Sequence, residues 1–206
     1  MKEINFEKVF SIALGVFSFL IIGFPKLSSL GVILLGLIVF FGFVKKQLSW
    51  KFNVSGVLMM LIYVAYLVGI LFAHELAIGL KYAEYKLGLF IIPLLLSIQP
   101  NFKLSIHSSV IGAILGVIVA LIPGIMNSCD CYSEHGWLLY CFSSSYISTV
   151  HHPSYFAGFI LITVVAAWYG RFAHWKGFTN WTVSIYSVLG IGFYFLCLTL
   201  AGILFF

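Results

Sequence analysis

The sequence has very little charge: Asp, Glu, Lys and Arg make up only 8% of its 206 residues, while 62% are hydrophobic. A soluble domain carries about 25% charged residues, so this chain cannot cover a water-facing surface. The hydrophobic residues come in blocks separated by short polar segments, without the alternating pattern of a membrane β-barrel. The composition therefore predicts an all-α fold: a polytopic helical transmembrane bundle, with one membrane domain over residues 1–206 and no soluble domain.

Several motifs of soluble proteins are also missing. The sequence contains no Walker loop, no GxSxG and no HExxH, which excludes the nucleotide-dependent enzymes and hydrolases that use them. It has no basic run interleaved with aromatic residues, so no nucleic-acid partner is expected. No small-x-small cleavage site follows the first hydrophobic block, which therefore predicts a retained span and not a signal peptide.

Seven hydrophobic blocks predict seven spans, since a spanning helix needs about 20 residues, with a range near 17–25. The blocks cover residues 9–24, 27–44, 54–73, 87–98, 106–126, 154–170 and 183–206. The fourth block is short and contains Pro93, which predicts a kinked or tilted span. Broken helices are tolerated where they face protein or a water-filled cavity.

The positions of Lys and Arg predict the orientation, because these residues concentrate in cytoplasmic loops. With the N-terminus in the cytoplasm and alternating spans, eight of the eleven fall inside: Lys2, Lys8, Lys45, Lys46, Lys51, Lys103, Arg171 and Lys176. Three fall outside: Lys26, Lys81 and Lys86. The polar segment 127–153 is then an extracytoplasmic loop.

This loop contains three of the four cysteines: Cys129, Cys131 and Cys141. Thiols outside the cytoplasm tend to oxidise, so we expect a disulfide between Cys141 and either Cys129 or Cys131. Three histidines could complete a metal site with these cysteines: His135, His151 and His152. Their spacing matches no zinc pattern, so no metal is predicted.

Small residues recur every four positions in the fifth block, at Ser108, Gly112, Gly116, Ala120 and Gly124. On a helix they form one smooth ridge. Such ridges let two backbones approach closely in lipid, which predicts a packing face. A groove for a lipid tail is the functional alternative.

Residues 74–87 have the pattern of an amphipathic helix at the outer membrane surface. Its polar face carries Lys81, Tyr82, Tyr85 and Lys86. Lysines on this side oppose the usual charge bias, which suggests a site for a polyanion such as a pyrophosphate. The alternative is an ordinary interfacial helix whose lysines extend to water.

The sixth block opens with His151, His152, Pro153, Ser154 and Tyr155. Pro153 suits the first turn of a helix, where its missing N–H costs nothing. Backbone N–H groups at a helix start favour anions, and histidine transfers protons near neutral pH. The pattern indicates a base or phosphate ligand; the alternative is an interfacial cap with Tyr155 in the aromatic belt.

Two stretches resemble the bacterial O-antigen ligase and polymerase superfamily. One is Lys86-Leu87-Gly88-Leu89-Phe90-Ile91-Ile92-Pro93-Leu94-Leu95, a basic residue before an apolar run with a proline. The other is His152-Pro153-Ser154-Tyr155-Phe156-Ala157, which is similar to the start of a later span in that superfamily. The resemblance covers residues 74–206.

The resemblance implies a membrane glycosyltransferase that moves a glycan from an undecaprenyl-pyrophosphate carrier to an acceptor glycan or glycolipid. The reaction belongs to lipopolysaccharide or polysaccharide synthesis at the outer face of the bacterial inner membrane and needs no cofactor or metal. His151 and His152 are implied as catalytic. The implied binding residues for the carrier are Lys81, Lys86, Tyr82, Tyr85 and Tyr155.

The sequence departs from the family at 199–202, where Leu200 stands in place of an expected basic residue. It also stops at Phe206, whereas family members continue into further spans. We therefore expect the chain to be the N-terminal part of a longer protein, inactive on its own. A small-solute transporter subunit and a non-catalytic membrane scaffold are the alternatives.

Overall fold

The computed structural model of the chain describes residues 6–45, 54–72, 102–136 and 144–198, together with 76, 79, 80, 83, 90, 91, 93, 94, 141 and 142. Every regular element within these ranges is helical. The α-helices are α1 (Phe6–Gly23), α2 (Ser28–Val44), α3 (Val54–Ile70), α4 (Phe102–His135), α5 (Ser144–Ile147), α6 (Pro153–Phe172) and α7 (Asn180–Leu198), and a 3-10 turn covers Pro25–Leu27.

Four stretches of helix are long and apolar enough to cross a membrane: Phe6–Gly23, Pro25–Val44, Ile106–His135 and Tyr155–Phe172. Two apolar helices are shorter, Gly56–Ile70 and Asn180–Leu196. Large apolar side chains are exposed along these helices, for example Ile12, Ile162 and Val188 at 64%, 66% and 72%. Soluble monomers rarely expose so much contiguous apolar surface, so the protein is membrane-embedded.

Six of the seven predicted blocks correspond to α1, α2, α3, α4, α6 and α7. The fourth block, 87–98, lies largely outside the described residues, and so does most of the predicted amphipathic helix 74–87. Both therefore remain predictions.

The chain divides into two compact units, Met1–Phe10 with Leu35–Phe102, and Ser11–Leu34 with Lys103–Phe206. In the first unit, Tyr63 of α3 anchors the following segment. Its hydroxyl donates to the Ala83 carbonyl at 3.1 Å, and its ring lies 5.9 Å from that of Phe90. Tyr63 and Ala83 are both buried.

The second unit is built on the contact between α1 and α4. The hydroxyl oxygens of Ser11 and Ser108 lie 2.6 Å apart. A Cβ at Gly112 would overlap the carbonyl of Gly15, and one at Gly116 would lie 2.9 Å from the Phe19 carbonyl oxygen. The small-residue ridge of α4 is therefore a packing face, as the sequence predicted.

The last two members of the ridge adjoin the core that α4 forms with α5, α6 and Ile22 of α1. Ala120 is 2% exposed, and a Cβ at Gly124 would overlap the carbonyl of Ile147 in α5. Buried residues of α4, α5 and α6 form one cluster here, which includes Val117, Ile147, Phe156 and Ile160. This cluster fixes the start of α6 against the middle of α4.

The predicted loop 127–153 differs from the structure, because α4 does not end with the apolar block at residue 126. It continues through the polar residues to His135. The helix ends where Gly136, at φ +70, donates its N–H to the Tyr132 carbonyl at 2.9 Å. Glycine enters the left-handed region without steric cost and is a common helix terminator. With 34 residues, α4 is about 50 Å long and exceeds the roughly 30 Å hydrocarbon core.

Candidate functional site

The segment before α6 has the backbone geometry that its sequence predicts. His152 is the N-cap residue, with φ −59 and ψ 136, and Pro153 occupies the first turn. The N–H groups of Tyr155 and Phe156 each donate to the His152 carbonyl at 3.0 Å. The missing N–H of Pro153 falls where no intrahelical partner exists.

His151 is partly buried and its ring is tightly held. Its Nε2–H donates to the Ile22 carbonyl near the end of α1 at 2.7 Å. The ring lies nearly parallel to Phe156, with centroids 6.2 Å apart, and edge-on to Phe159 at 5.2 Å. The Ser148 hydroxyl donates to the His151 carbonyl. These contacts favour an anchoring role for His151, which joins the start of α6 to the end of α1.

His152 has the opposite environment from its neighbour. It is exposed, and its side chain makes no capping hydrogen bond to the helix. Its ring is edge-on to Tyr155 at 5.7 Å, and Tyr155 is 72% exposed. Of the two histidines, His152 is therefore the one whose imidazole is open to a bound molecule.

A groove of about 650 Å³ lies beside this segment. The end of α1 and the 3-10 turn form one wall, and α4 forms another. Thr149 and Val150, which directly precede His151, complete it. Apolar side chains dominate the lining, and Lys26 is the one charged residue among the described residues that form it.

Pro123 lies within α4 and lines the same groove. Because proline has no N–H, it cannot donate the helical hydrogen bond to the carbonyl of Val119, four residues earlier. Val119 also lines the groove. The proline thus weakens the helical hydrogen bonding of α4 where the groove forms, and such a break is tolerated next to a cavity.

Sequence reasoning missed both Lys26 and Pro123 as site residues. Lys26 was counted only for topology, although a lysine predicted on the outer side, against the charge bias, was a usable signal. Pro123 was hidden in an otherwise regular apolar block. The predicted carrier-binding residues Lys81, Tyr82, Tyr85 and Lys86 lie outside the described residues, so their proximity to His152 remains a prediction.

The cysteines near the end of α4 are joined as Cys131–Cys141, with Cα atoms 5.4 Å apart. This is one of the two pairings that the sequence left open. Cys129 is an exposed free thiol. The ligand atoms of Cys131, His135 and Cys141 lie within 4.8 Å of one another. Because the two sulfurs are bonded to each other, no thiolate is present there to bind a metal.

Comparison of the chain with models of protein families, with curated proteins and with solved structures found no match. The fold and the site thus define the protein only as a membrane-embedded helical protein. It has a mainly apolar groove lined by a lysine, beside the segment that leads to an exposed histidine and tyrosine at a helix start.

Proposed function

We propose that this chain is part of an O-antigen ligase-like membrane glycosyltransferase. It moves a glycan from an undecaprenyl-pyrophosphate carrier to an acceptor sugar hydroxyl at the outer face of the bacterial inner membrane. In this proposal the chain crosses the membrane seven times from a cytoplasmic N-terminus. The supporting observation is the groove of about 650 Å³ that contains Lys26 and adjoins the segment leading to His152.

The groove has the character that such a carrier requires. A polyprenyl chain is purely apolar, and the walls contributed by α1 and α4 are mostly apolar. The carrier ends in a pyrophosphate, for which a lysine ammonium is a good point-charge partner. Lys26 lies in the 3-10 turn between α1 and α2 and contributes its positive charge to the groove lining.

The chemistry assigns different tasks to the neighbouring residues. The acceptor oxygen attacks the anomeric carbon of the glycan, and the bond from that carbon to the pyrophosphate oxygen breaks. The pyrophosphate leaves with the bonding electrons, and Lys26 neutralises its developing charge, which is the role that the resemblance implies for Lys81 and Lys86. His152 accepts the proton of the acceptor hydroxyl, while His151 holds the start of α6 in place.

The test is glycan transfer by the full-length protein in proteoliposomes that contain the lipid-linked donor. Removal of a general base typically costs 10²-fold or more, so His152→Gln should lower kcat by about this factor. Lys26→Gln should also lower transfer, because it removes leaving-group stabilisation. Lys45→Gln is the matched control: Lys45 is an exposed lysine at the end of α2, and its variant should transfer normally. Full transfer by His152→Gln would reject the role of His152.

A non-catalytic membrane scaffold is the second candidate. The observation that favours it is the set of contacts of His151, which ties α6 to α1 and explains one conspicuous residue by packing alone. In that case, Lys26→Gln and His152→Gln would change neither transfer nor binding of the lipid-linked donor.

A further inference from the structure

A second groove, of about 300 Å³, lies near the start of α4, the end of α6 and the start of α7. Seven mainly apolar residues form its walls: Ile111, Ile114, Leu115, Ala167, Phe178, Val183 and Tyr186. Its volume is at the lower end of the range of small-ligand sites. Lys176, Gly177 and Thr182 line it where the turn between α6 and α7 meets the helices.

The turn that carries Lys176 is held in place by several contacts. His107 of α4 donates from Nε2 to the Lys176 carbonyl at 3.1 Å. The His107 ring is edge-on to Trp175 at 5.2 Å and to Phe178 at 5.8 Å. The Thr182 hydroxyl donates to the Gly177 carbonyl at 3.0 Å. The backbone of Lys176 therefore has a fixed position at the groove mouth. This reduces the conformational entropy that the protein loses when a ligand binds there.

On α6, on α7, in the turn between them and over residues 102–126 of α4, every Asp, Glu, Lys or Arg position is basic. The last acidic residue of the sequence is Glu134, and residues 102–126 contain none either. Arg171 donates to the side-chain oxygen of Asn180, and Lys176 is exposed. Neither cation has a carboxylate partner on α6, on α7 or in the turn between them, so a bound anion would supply the missing counter-charge.

Aromatic side chains place the groove mouth at a membrane surface. Trp181 is 79% exposed and Tyr169 is 59% exposed, and Trp175 lies between α6 and α7 with its ring 5.5 Å from that of Tyr169. Tryptophan and tyrosine are enriched at the level of the lipid headgroups. A membrane surface at this level would place Lys176 among the lipid headgroups and the groove residues Ile114 and Leu115 in the hydrocarbon.

We propose that this groove binds one anionic phospholipid, with its phosphate at Lys176 and an acyl chain along the apolar walls. A lipid is the occupant because the same groove joins a cationic mouth to mainly apolar walls, which match a phosphate headgroup and a hydrocarbon chain. This site is separate from the one beside His152 and does not depend on glycosyl transfer.

The test uses the purified chain in detergent, titrated with phosphatidylglycerol and with phosphatidylcholine of identical acyl chains, and binding is followed by native mass spectrometry. The wild type should prefer phosphatidylglycerol. Lys176→Gln should weaken phosphatidylglycerol binding about fivefold, which is the usual effect of one basic residue near a lipid surface. Phosphatidylcholine binding should fall less, because the choline cation offsets the charge of its phosphate. Lys176→Arg keeps the charge and should keep the preference.

Two controls separate the groove from general surface charge. Lys45→Gln removes an exposed lysine elsewhere and should keep the preference. Leu115→Trp places a ring in the groove and should weaken binding of both lipids, whereas Leu161→Trp, at a comparably exposed apolar site outside the groove lining, should not. Glycerol 1-phosphate should not compete with the lipid.

Three results would overturn the proposal. The first is an unchanged preference in Lys176→Gln. The second is an equal loss in Lys45→Gln, which would indicate nonspecific charge. The third is tight binding of glycerol 1-phosphate, which would indicate a free-phosphate site without a role for the acyl chain.

Discussion

The adjacent residues His151 and His152 have different surroundings in this protein. His151 donates its Nε2–H to a backbone carbonyl of another helix, whereas His152 is exposed beside Tyr155. The sequence identified both as candidates for proton transfer and could not separate them. The distinction depends on Ile22, which lies 129 residues earlier in the chain.

The first stability prediction follows from this difference. His151→Ala should lower the free energy of unfolding by about 1–3 kcal/mol, because it leaves the Ile22 carbonyl without its donor and removes the ring from between Phe156 and Phe159. His152→Ala should change it by less than about 0.5 kcal/mol, as expected for an exposed side chain. Denaturant unfolding in detergent micelles measures both. Equal losses in the two variants would contradict the anchoring role of His151.

At the scale of helices, the close contact between α1 and α4 depends on Gly15 and Gly112, which have no side chains to hold the two backbones apart. Gly112→Ala should destabilise the protein by about 1–3 kcal/mol, because the added methyl group would overlap the Gly15 carbonyl and force the two backbones apart. Thermal unfolding in detergent is the measurement. Gly192→Ala on α7 is the matched control, since nothing lies within 4 Å of its added Cβ.

The control should be neutral or slightly stabilising, because alanine favours the helix more than glycine does. An intact melting temperature in Gly112→Ala would show that the ridge tolerates wider spacing and does not set the approach of α1 to α4.

The helices themselves were largely predictable from the sequence. Hydrophobic blocks of span length must become helices in a bilayer, since backbone groups there can be satisfied only within their own segment. The four-residue period of the small residues also predicted the face of α4 that packs. The end of α4 was not predictable from hydropathy. Polar residues after Met126 can form either a helix or a loop in water, and hydropathy does not indicate that the helix continues as far as Gly136, which has a positive φ.

At the scale of the whole molecule, the proposed function requires that the end of α4 lie outside the cytoplasm. Cys129 offers a test because it is an exposed free thiol. In a Cys197→Ser background, a membrane-impermeant maleimide should label right-side-out vesicles and not inside-out vesicles until detergent is added. The disulfide keeps Cys131 and Cys141 unreactive, and Cys129→Ser should abolish labelling. Labelling confined to inside-out vesicles would reverse the orientation and end the proposed outer-face transfer.

The groove beside the segment that leads to α6 was not predictable from the sequence. Lys26 and Val150 are far apart in the sequence and become neighbours only because α1 and α6 both pack on α4. No local sequence pattern indicates that these two residues are close in the fold. The sequence did identify the residues at the start of α6, because a proline in the first turn leaves a recognisable local signal.

The pairing of Ser11 with Ser108 also has a consequence for biogenesis. The two residues are separated by 97 positions, so α1 enters the bilayer well before its packing partner exists. At about 5–20 residues per second, the ribosome needs on the order of 5–20 s to make that intervening length. Throughout this interval the serine and glycine face of the first helix is exposed to lipid or to an insertion factor. Assembly of the second unit can therefore begin only when translation has passed the start of α4.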